Sequence, residues 1–396
     1  MYLNTNIKSE CYGCSACEQI CSHNAISMKQ DSDGFYYPEI NFDNCINCGL
    51  CERVCPYNTD TDLSSNPHVY AAYAKKVTER MGSSSGALFY LLAKKVIAEG
   101  GIVYGAIMDV DCQVYHRPAE SLEELKSLRG SKYVQSKLND TFRAIRNHLR
   151  NERIVYFVGT GCQVAGLRSF LLKKYDNLIT SDLVCHGVPP QKLFDEHIRY
   201  LEKKYNGKVV EYAFRDNLKW GGCEIVDIKK NNSNVKRFRL PSYDLSPYLY
   251  SFMNAMTCRD SCYECAFAKI PRCGDITLAD FWGAKDYYPQ IDASRGVSLV
   301  LLNSTLGTKW FDKIRDQIFC IESTIEIAAA QNKNLVQHTN KPDIRNHIFS
   351  DIQKYGYECI AHTVFKAKGY VIKKLTYKLI ESIGRENYQK IRNLFK

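Results

Sequence analysis

Cys11, Cys14, Cys17 and Cys21 stand at C-x2-C-x2-C-x3-C spacing, and Cys45, Cys48, Cys51 and Cys55 repeat it with Pro56 behind. A tight loop with sulfurs at every third residue presents three thiolates to one side. A cubane takes those three and a fourth from the other run, as in two-cluster ferredoxins. The spacing therefore assigns Cys11, Cys14, Cys17 and Cys55 to one [4Fe–4S] cluster, and Cys45, Cys48, Cys51 and Cys21 to another. Cys-x2-Cys pairs also bind zinc, but a zinc knuckle uses two ligands, not three followed by a fourth. Ser22 stands where a proline usually follows the fourth cysteine, which touches local geometry more than ligation.

Further along, Gly82-Ser-Ser-Ser-Gly86 precedes a helical pattern. Small residues there leave amide N–H groups open to a phosphate, or form a plain serine cap. Gly130-Ser-Lys-Tyr133 is a polar, glycine-led loop. Val155–Cys162 reads as strand, glycine turn, then a cysteine opening a helix, where the helix dipole favours a thiolate. That thiol is a nucleophile, a ligand or a small hydrophobe. Cys185-His186-Gly187 ends another strand, and Cys258, Cys262, Cys265 and Cys273 precede Asp275, Asp280 and Trp282.

In this order, the stretches SSSGALFYLLAKKVIAEGGIVYGA, RGSKYVQS, VGTGCQVAGLRSFL, DLVCHGVP and SCYECAFAKIPRCGDITLADFWG resemble the coenzyme F420 hydrogenase/dehydrogenase beta-subunit family over about residues 69–310. The resemblance implies a flavin, usually FAD, beside a third [4Fe–4S] cluster. Its cluster cysteines fall on Cys162, Cys185, Cys262 and Cys265. Its flavin-contacting segments fall on Ser84, Ser85 and Gly86, and on Gly130, Ser131, Lys132 and Tyr133. His186 and Asp280 lie in the same segments as candidate proton shuttles, with structural hydrogen bonding as the alternative. Two departures stand out: Gly161 replaces the proline before Cys162, and Ala87 replaces a glycine. Cys258 competes for the role of fourth ligand.

The elements that must hold these groups suggest a mixed α+β and α/β chain. A bacterial-type ferredoxin domain spans 1–60, with a hairpin turn at Asp33–Gly34, and residues 60–68 form a linker. Strands at Ile102–Met108, Arg153–Val158, Leu178–Val184, Asp275–Phe281 and Val297–Asn303 alternate with helices at Ala87–Glu99, Gln163–Lys174 and Gln191–Lys204. That alternation predicts an α/β domain over 69–320. A helical region follows over 325–396. Cys112, Cys223, Cys320 and Cys359 are isolated and read as buried structural thiols.

Eighteen cysteines in an unsignalled chain of 396 residues point to metal rather than disulfides, and to the cytoplasm. The net charge of +10 is concentrated in the tail, where nine lysines and arginines from Lys366 onward face Glu381 and Glu386. A near-neutral body argues against nucleic acid. Apolar residues among those lysines, at Tyr370–Leu379 and Tyr388–Phe395, suit a helix on the inner face of a membrane or a solvated face on the body.

Together these features imply a flavin- and iron–sulfur-dependent oxidoreductase. Ferredoxin or another low-potential donor supplies electrons, and a small molecule or lipid-linked saccharide of polysaccharide biosynthesis receives them. The rival expectations are an electron-transfer subunit serving a separate catalytic partner, and a coenzyme F420 oxidoreductase.

Overall fold

The computed structural model describes residues 1–58, 66–215, 221–230, 234–366 and 370–383. At the front, the short helices Ala16–Ile20 and Leu50–Arg53 accompany an antiparallel hairpin of β1 (Ile26–Gln30) and β2 (Tyr36–Ile40). The hairpin turns where Asp33–Gly34 predicts. Asp31 holds the turn, its Oδ1 accepting from the amides of Gly34 and Phe35 at 2.9 Å each. Residues 60–65 of the expected linker 60–68 lie outside the described residues.

The body then runs through β3 (His68–Ala74), β4 (Ile102–Met108), β5 (Val114–Ala119), β6 (Val155–Thr160) and β7 (Leu178–Leu183). Next come β8 (Lys208–Arg215), β9 (Gly222–Lys229) and β10 (Val235–Leu240), a separate antiparallel sheet. Last are β11 (Ile276–Asp280), β12 (Ser298–Leu302) and β13 (Ile318–Ser323). Eight of these strands form one mixed sheet in the order β13-β3-β12-β11-β7-β6-β4-β5. Its centre, β11-β7-β6-β4, is parallel, and both flanks are antiparallel. β3, β5, β8, β9, β10 and β13 have no counterpart in the sequence expectation.

Alternation along the central strands explains why both faces are covered. Tyr156 and Val158 of β6 pack with Leu88, Leu91 and Leu92 of the helix Leu88–Ala98. Val155 and Phe157 face the opposite way, toward Phe142, Ile145 and Leu149 of the helix Thr141–Arg150 and toward Gly161–Leu171. Buried residues at 142, 145 and 149 are one stripe of a 3.6-residue helix. A parallel sheet needs this double cover.

The front domain docks on that second layer. Phe142 N donates to Gln19 Oε1 at 2.8 Å. Arg143 donates to the carbonyls of Gln19, Glu18 and Cys21 at 2.7, 3.2 and 3.2 Å, which caps the end of the helix Ala16–Ile20. The hairpin tip packs between Gln191–Tyr205 and the C-terminal region. Phe35 meets Phe349 edge-on, and Lys192 donates to Ser32 O at 2.9 Å.

After β13 the chain is mainly helical, with Ile348–Tyr355, Glu358–Lys366 and Tyr370–Ile383 the longest pieces. Lys373 ties the last of these to Asp244 at 2.9 Å, while Val371, Ile372, Leu375 and Leu379 face outward. No helix among the described residues is long and apolar enough to cross a membrane. The second tail segment, Tyr388–Phe395, lies outside the described residues. Cys112 and Cys223 are buried as expected, whereas Cys320 and Cys359 are only half-buried, being on the edge strand β13 and on a surface helix.

Candidate metal centres and cofactor site

In an open parallel sheet, groups at the carboxyl ends of the strands converge on one crevice. Here β6 delivers Cys162, β7 delivers Cys185, and the turn Asp260–Glu264 brings Cys262 and Cys265 across from them. These four thiols line a single cavity, walled also by Tyr12, Thr160, Phe267, Arg272, His338 and Thr339. The loop into Cys162 is held by a capping box, with Thr160 N donating to Gln163 Oε1 at 3.0 Å. At Gly161, just before Cys162, a Cβ would stand 2.9 Å from Phe267 Cβ, so the turn packs too closely there for a side chain.

The helix dipole at Cys162 favours a thiolate, yet burial wins. It pushes that thiol up to about 12 and Cys185 up to about 11, and the neighbouring cysteine Cys265 adds to both shifts. Cys262 and Cys265 are raised too, again by burial first. Four thiols around a cavity that penalises bare thiolates suit a cationic core, which supplies the missing positive charge. Among the described residues no three His, Cys, Asp or Glu side chains close on the point a single ion would occupy.

Cys258 and Cys273 are not among the walls of this cavity, although Cys258 packs beside Cys262. Cys258 is fully buried in an apolar cluster with Phe252, Ala255 and Tyr263. Cys273 donates to the Gly161 carbonyl at 3.1 Å.

A second cavity is lined by Cys11, Cys14, Cys17 and Cys55, with Gly13, Ser15 and Pro56. Three sulfurs from one run and one from the other thus surround it, the set that the spacing picks out. Tyr12 belongs to the walls of both cavities. The remaining set is more open: Cys48 is exposed, and Cys21, Cys45 and Cys51 are half-buried.

The two segments expected at the flavin are brought together, with Ser131 N donating to Ser84 Oγ at 2.7 Å. Gly130 has a positive φ of 81° and open space where a side chain would point. The expectation of free amides at Gly86 is corrected. Its N–H donates to Ser298 Oγ at 3.0 Å, and a Cβ there would lie 2.4 Å from Ala72 O. The helix opens only at Leu88, so Gly86 is a close approach between that helix and the sheet. Ser85 Oγ is likewise used, donating to Val297 O at 2.9 Å. Lys132 turns back on its own chain, donating to Ser127 O and Arg129 O at 3.0 and 2.8 Å, and burial lowers it to about 7.

His186 and Asp280 are linked through Phe252, Tyr133 and Arg215, of which Phe252 and Arg215 lie outside the sequence motifs. His186 sits edge-on to Phe252 at 5.3 Å, and Phe252 stacks on Tyr133 at 5.0 Å. Tyr133 OH accepts from Arg215 Nε at 2.8 Å, and Arg215 pairs with Asp280. His186 Nδ1 faces Asn334 at 3.2 Å, while its Nε2 is buried without a partner. No local pattern marks Arg215 or Phe252, and only their places at the end of β8 and in the helix Pro247–Met253 put them here.

Two family descriptions match the chain. Residues 152–327 match the C-terminal part of the coenzyme F420 hydrogenase/dehydrogenase beta subunit, and residues 10–59 match the 4Fe–4S dicluster domain. Twelve chains of solved structures match. One belongs to the xenon-derivatised F420-reducing [NiFe] hydrogenase complex from Methanosarcina barkeri, at 16% identity and a TM-score of 0.45, covering 75% of this chain and 97% of that one. No curated protein matches.

Proposed function

Since residues 152–327 match the C-terminal part of the coenzyme F420 hydrogenase/dehydrogenase beta subunit and residues 10–59 match a 4Fe–4S dicluster domain, we propose that this iron–sulfur protein relays electrons inward to a flavin that reduces an organic acceptor. The observation that carries this reading is Tyr12, shared by the walls of two four-cysteine cavities. Cys21, Cys45, Cys48 and Cys51 hold the outermost cluster, Cys11, Cys14, Cys17 and Cys55 the next, and Cys162, Cys185, Cys262 and Cys265 the innermost. The exposed side chains of Phe42 (77%) and Ile46 (60%), on the chain that leads through Cys45 to Cys48, suit the docking of ferredoxin or another low-potential donor there.

Ser84, Gly130, Ser131 and Tyr133 would hold the flavin, which when bound converts single electrons into pairs. The Ser84–Ser131 bond and the open face of Gly130 support that placement. His186 and Asp280 connect to Tyr133 through Phe252 and Arg215, as the groups that would hold or move a proton at the acceptor. Clusters alone suffice for a carrier, so a flavin favours an enzyme over an electron-transfer subunit. With the protein reduced by ferredoxin and dithionite, a small acceptor should speed flavin reoxidation in stopped flow without any partner. The panel is deazaflavin coenzyme F420, sugar nucleotides and lipid-linked saccharides. Acceleration only by an added protein would establish the carrier reading instead.

A second reading concerns the helix Tyr370–Ile383. Its outward stripe includes Ile372 (72% exposed) and Leu375 (61%), with Lys374 and Lys378 alongside, and this supports a peripheral contact with an anionic bilayer. Replacing both Ile372 and Leu375 with glutamate should abolish cosedimentation with phosphatidylserine vesicles. Equal sedimentation of both proteins would refute it.

A further inference from the structure

Arg259 is fully buried, at 0% exposure, and it touches the loops of both inner cysteine sets. Its Nε donates to the Cys11 carbonyl at 2.6 Å, Nη2 to Tyr36 O at 2.9 Å, and Nη1 to Gln135 Oε1 at 3.4 Å. The guanidinium lies 4.1 Å from the centre of the Tyr37 ring. Its own carbonyl accepts from the Cys262 amide at 2.9 Å. One residue thereby links the Cys11 loop to the Cys262 loop.

Each of these partners is neutral. Among the described residues the other deeply buried arginines each have a carboxylate: Arg272 pairs with Asp182, Arg215 with Asp280, Arg345 with Asp33 and Asp260, and Arg80 with Asp292. Arg259 forms no such ion pair with any described residue. A buried charge without a counter-charge is strongly disfavoured. The acidic groups beside it are the thiols of Cys11 and Cys262 and the phenol of Tyr37, and burial raises that phenol so that it keeps its proton.

We propose that Arg259 is the shared counter-charge of the two inner clusters, and that it makes both easier to reduce than the outermost one. The inference rests on the relay reading above. A cubane with four thiolates is an anion, and each electron it takes from the donor adds one negative charge with no bond made or broken. A fixed guanidinium stabilises that extra charge, and cluster potentials respond to net charge and hydrogen bonding. The electron is therefore drawn inward, from the exposed cluster toward the flavin segments. Arg259 acts as a positioning and tuning group; it ligates nothing.

The test is a dithionite titration of the anaerobic holoprotein, followed cluster by cluster by electron paramagnetic resonance. In Arg259→Met the reduced-to-oxidised ratio of both inner clusters should fall about tenfold or more at a fixed potential, equivalent to about 59 mV, while the outermost cluster stays put. Arg259→Lys should restore most of the ratio. Gln135→Glu keeps the arginine and sets a carboxylate against it, so it decides the matter if the methionine variant does not load its clusters. It should move the same two clusters the same way. Unmoved inner potentials in a fully loaded Gln135→Glu protein, or equal shifts in all three clusters, would overturn the proposal. Failure of the relay reading looks different: wild-type protein would then lack the innermost cluster from the start.

Discussion

Cys265→Ser should cost the protein one whole cluster, about four of about twelve irons, and leave the paired-cluster signal of the front domain intact. The cavity walls give the reason. Cys265 is one of four thiols around the inner cavity, and the other three already line it from their own sides. Cys258 is the nearest rival by sequence, only four residues before Cys262. It does not line that cavity, and it sits in an apolar cluster with Phe252 and Tyr263, against which Cys262 packs. Cys258→Ala should therefore keep all the iron. Iron and sulfide analysis of both variants, purified without oxygen, separates the outcomes. Loss of a cluster from Cys258→Ala with retention in Cys265→Ser would show that the ligand set is wrong.

A second large effect is expected far from the iron. Glu224 is buried and accepts from Ser246 Oγ at 2.5 Å and Tyr212 OH at 3.0 Å, with His197 Nε2 at 2.7 Å. Tyr357 OH meets the other ring nitrogen of His197 at 2.9 Å, so the network joins β9, the helix Gln191–Tyr205 and the C-terminal region. Glu224→Ala would leave three polar partners without an acceptor. Breaking a buried pair from one side costs about 3–5 kcal/mol, and the unfolding free energy should drop by that order.

The effect has a direction in pH. Burial acts to raise the Glu224 carboxyl, but His197 and the hydrogen bonds outweigh it and hold it below the usual carboxylate range. A depressed folded value stabilises fully above the unfolded one, about 4.3, and that contribution fades as pH falls through the folded value. The gap between wild type and Glu224→Ala in denaturant midpoints should accordingly be widest near neutrality and narrow in acid. A gap that widens in acid would speak against this electrostatic account.

The sequence shows its chemistry more plainly than its sheet. Cysteine spacing alone groups Cys11, Cys14, Cys17 with Cys55, because three sulfurs on a tight loop need a fourth from elsewhere, and those four line one cavity. The central strands β4 and β6 are legible as apolar runs, the mark of a parallel sheet covered on both faces, whereas β7 buries Thr180, Ser181 and Asp182. β9 is not, since Glu224 and Asp227 interrupt its alternation with buried acids whose partners lie on other elements. β5 carries Pro118, and β13 is an edge strand that β3 completes only in three dimensions. Arg215, Phe252 and Arg259 are unreadable for a similar reason. Each acts by position, and their neighbours are remote in sequence, such as Asp280, Tyr133 and Cys11. Gly86 illustrates the reverse error, where a local helix-opening pattern hides a packing role against Ala72 and Ser298.

The proposed relay needs three cubanes in one chain, two in the front domain and one in the crevice of the sheet. Metal analysis of the anaerobically purified wild-type protein, paired with its Mössbauer spectrum, decides whether they are there. The arrangement requires about twelve irons per chain in three [4Fe–4S] clusters, with no stoichiometric zinc. About eight irons with Cys162, Cys185, Cys262 and Cys265 reactive toward a thiol reagent, or zinc bound in their place, would rule it out.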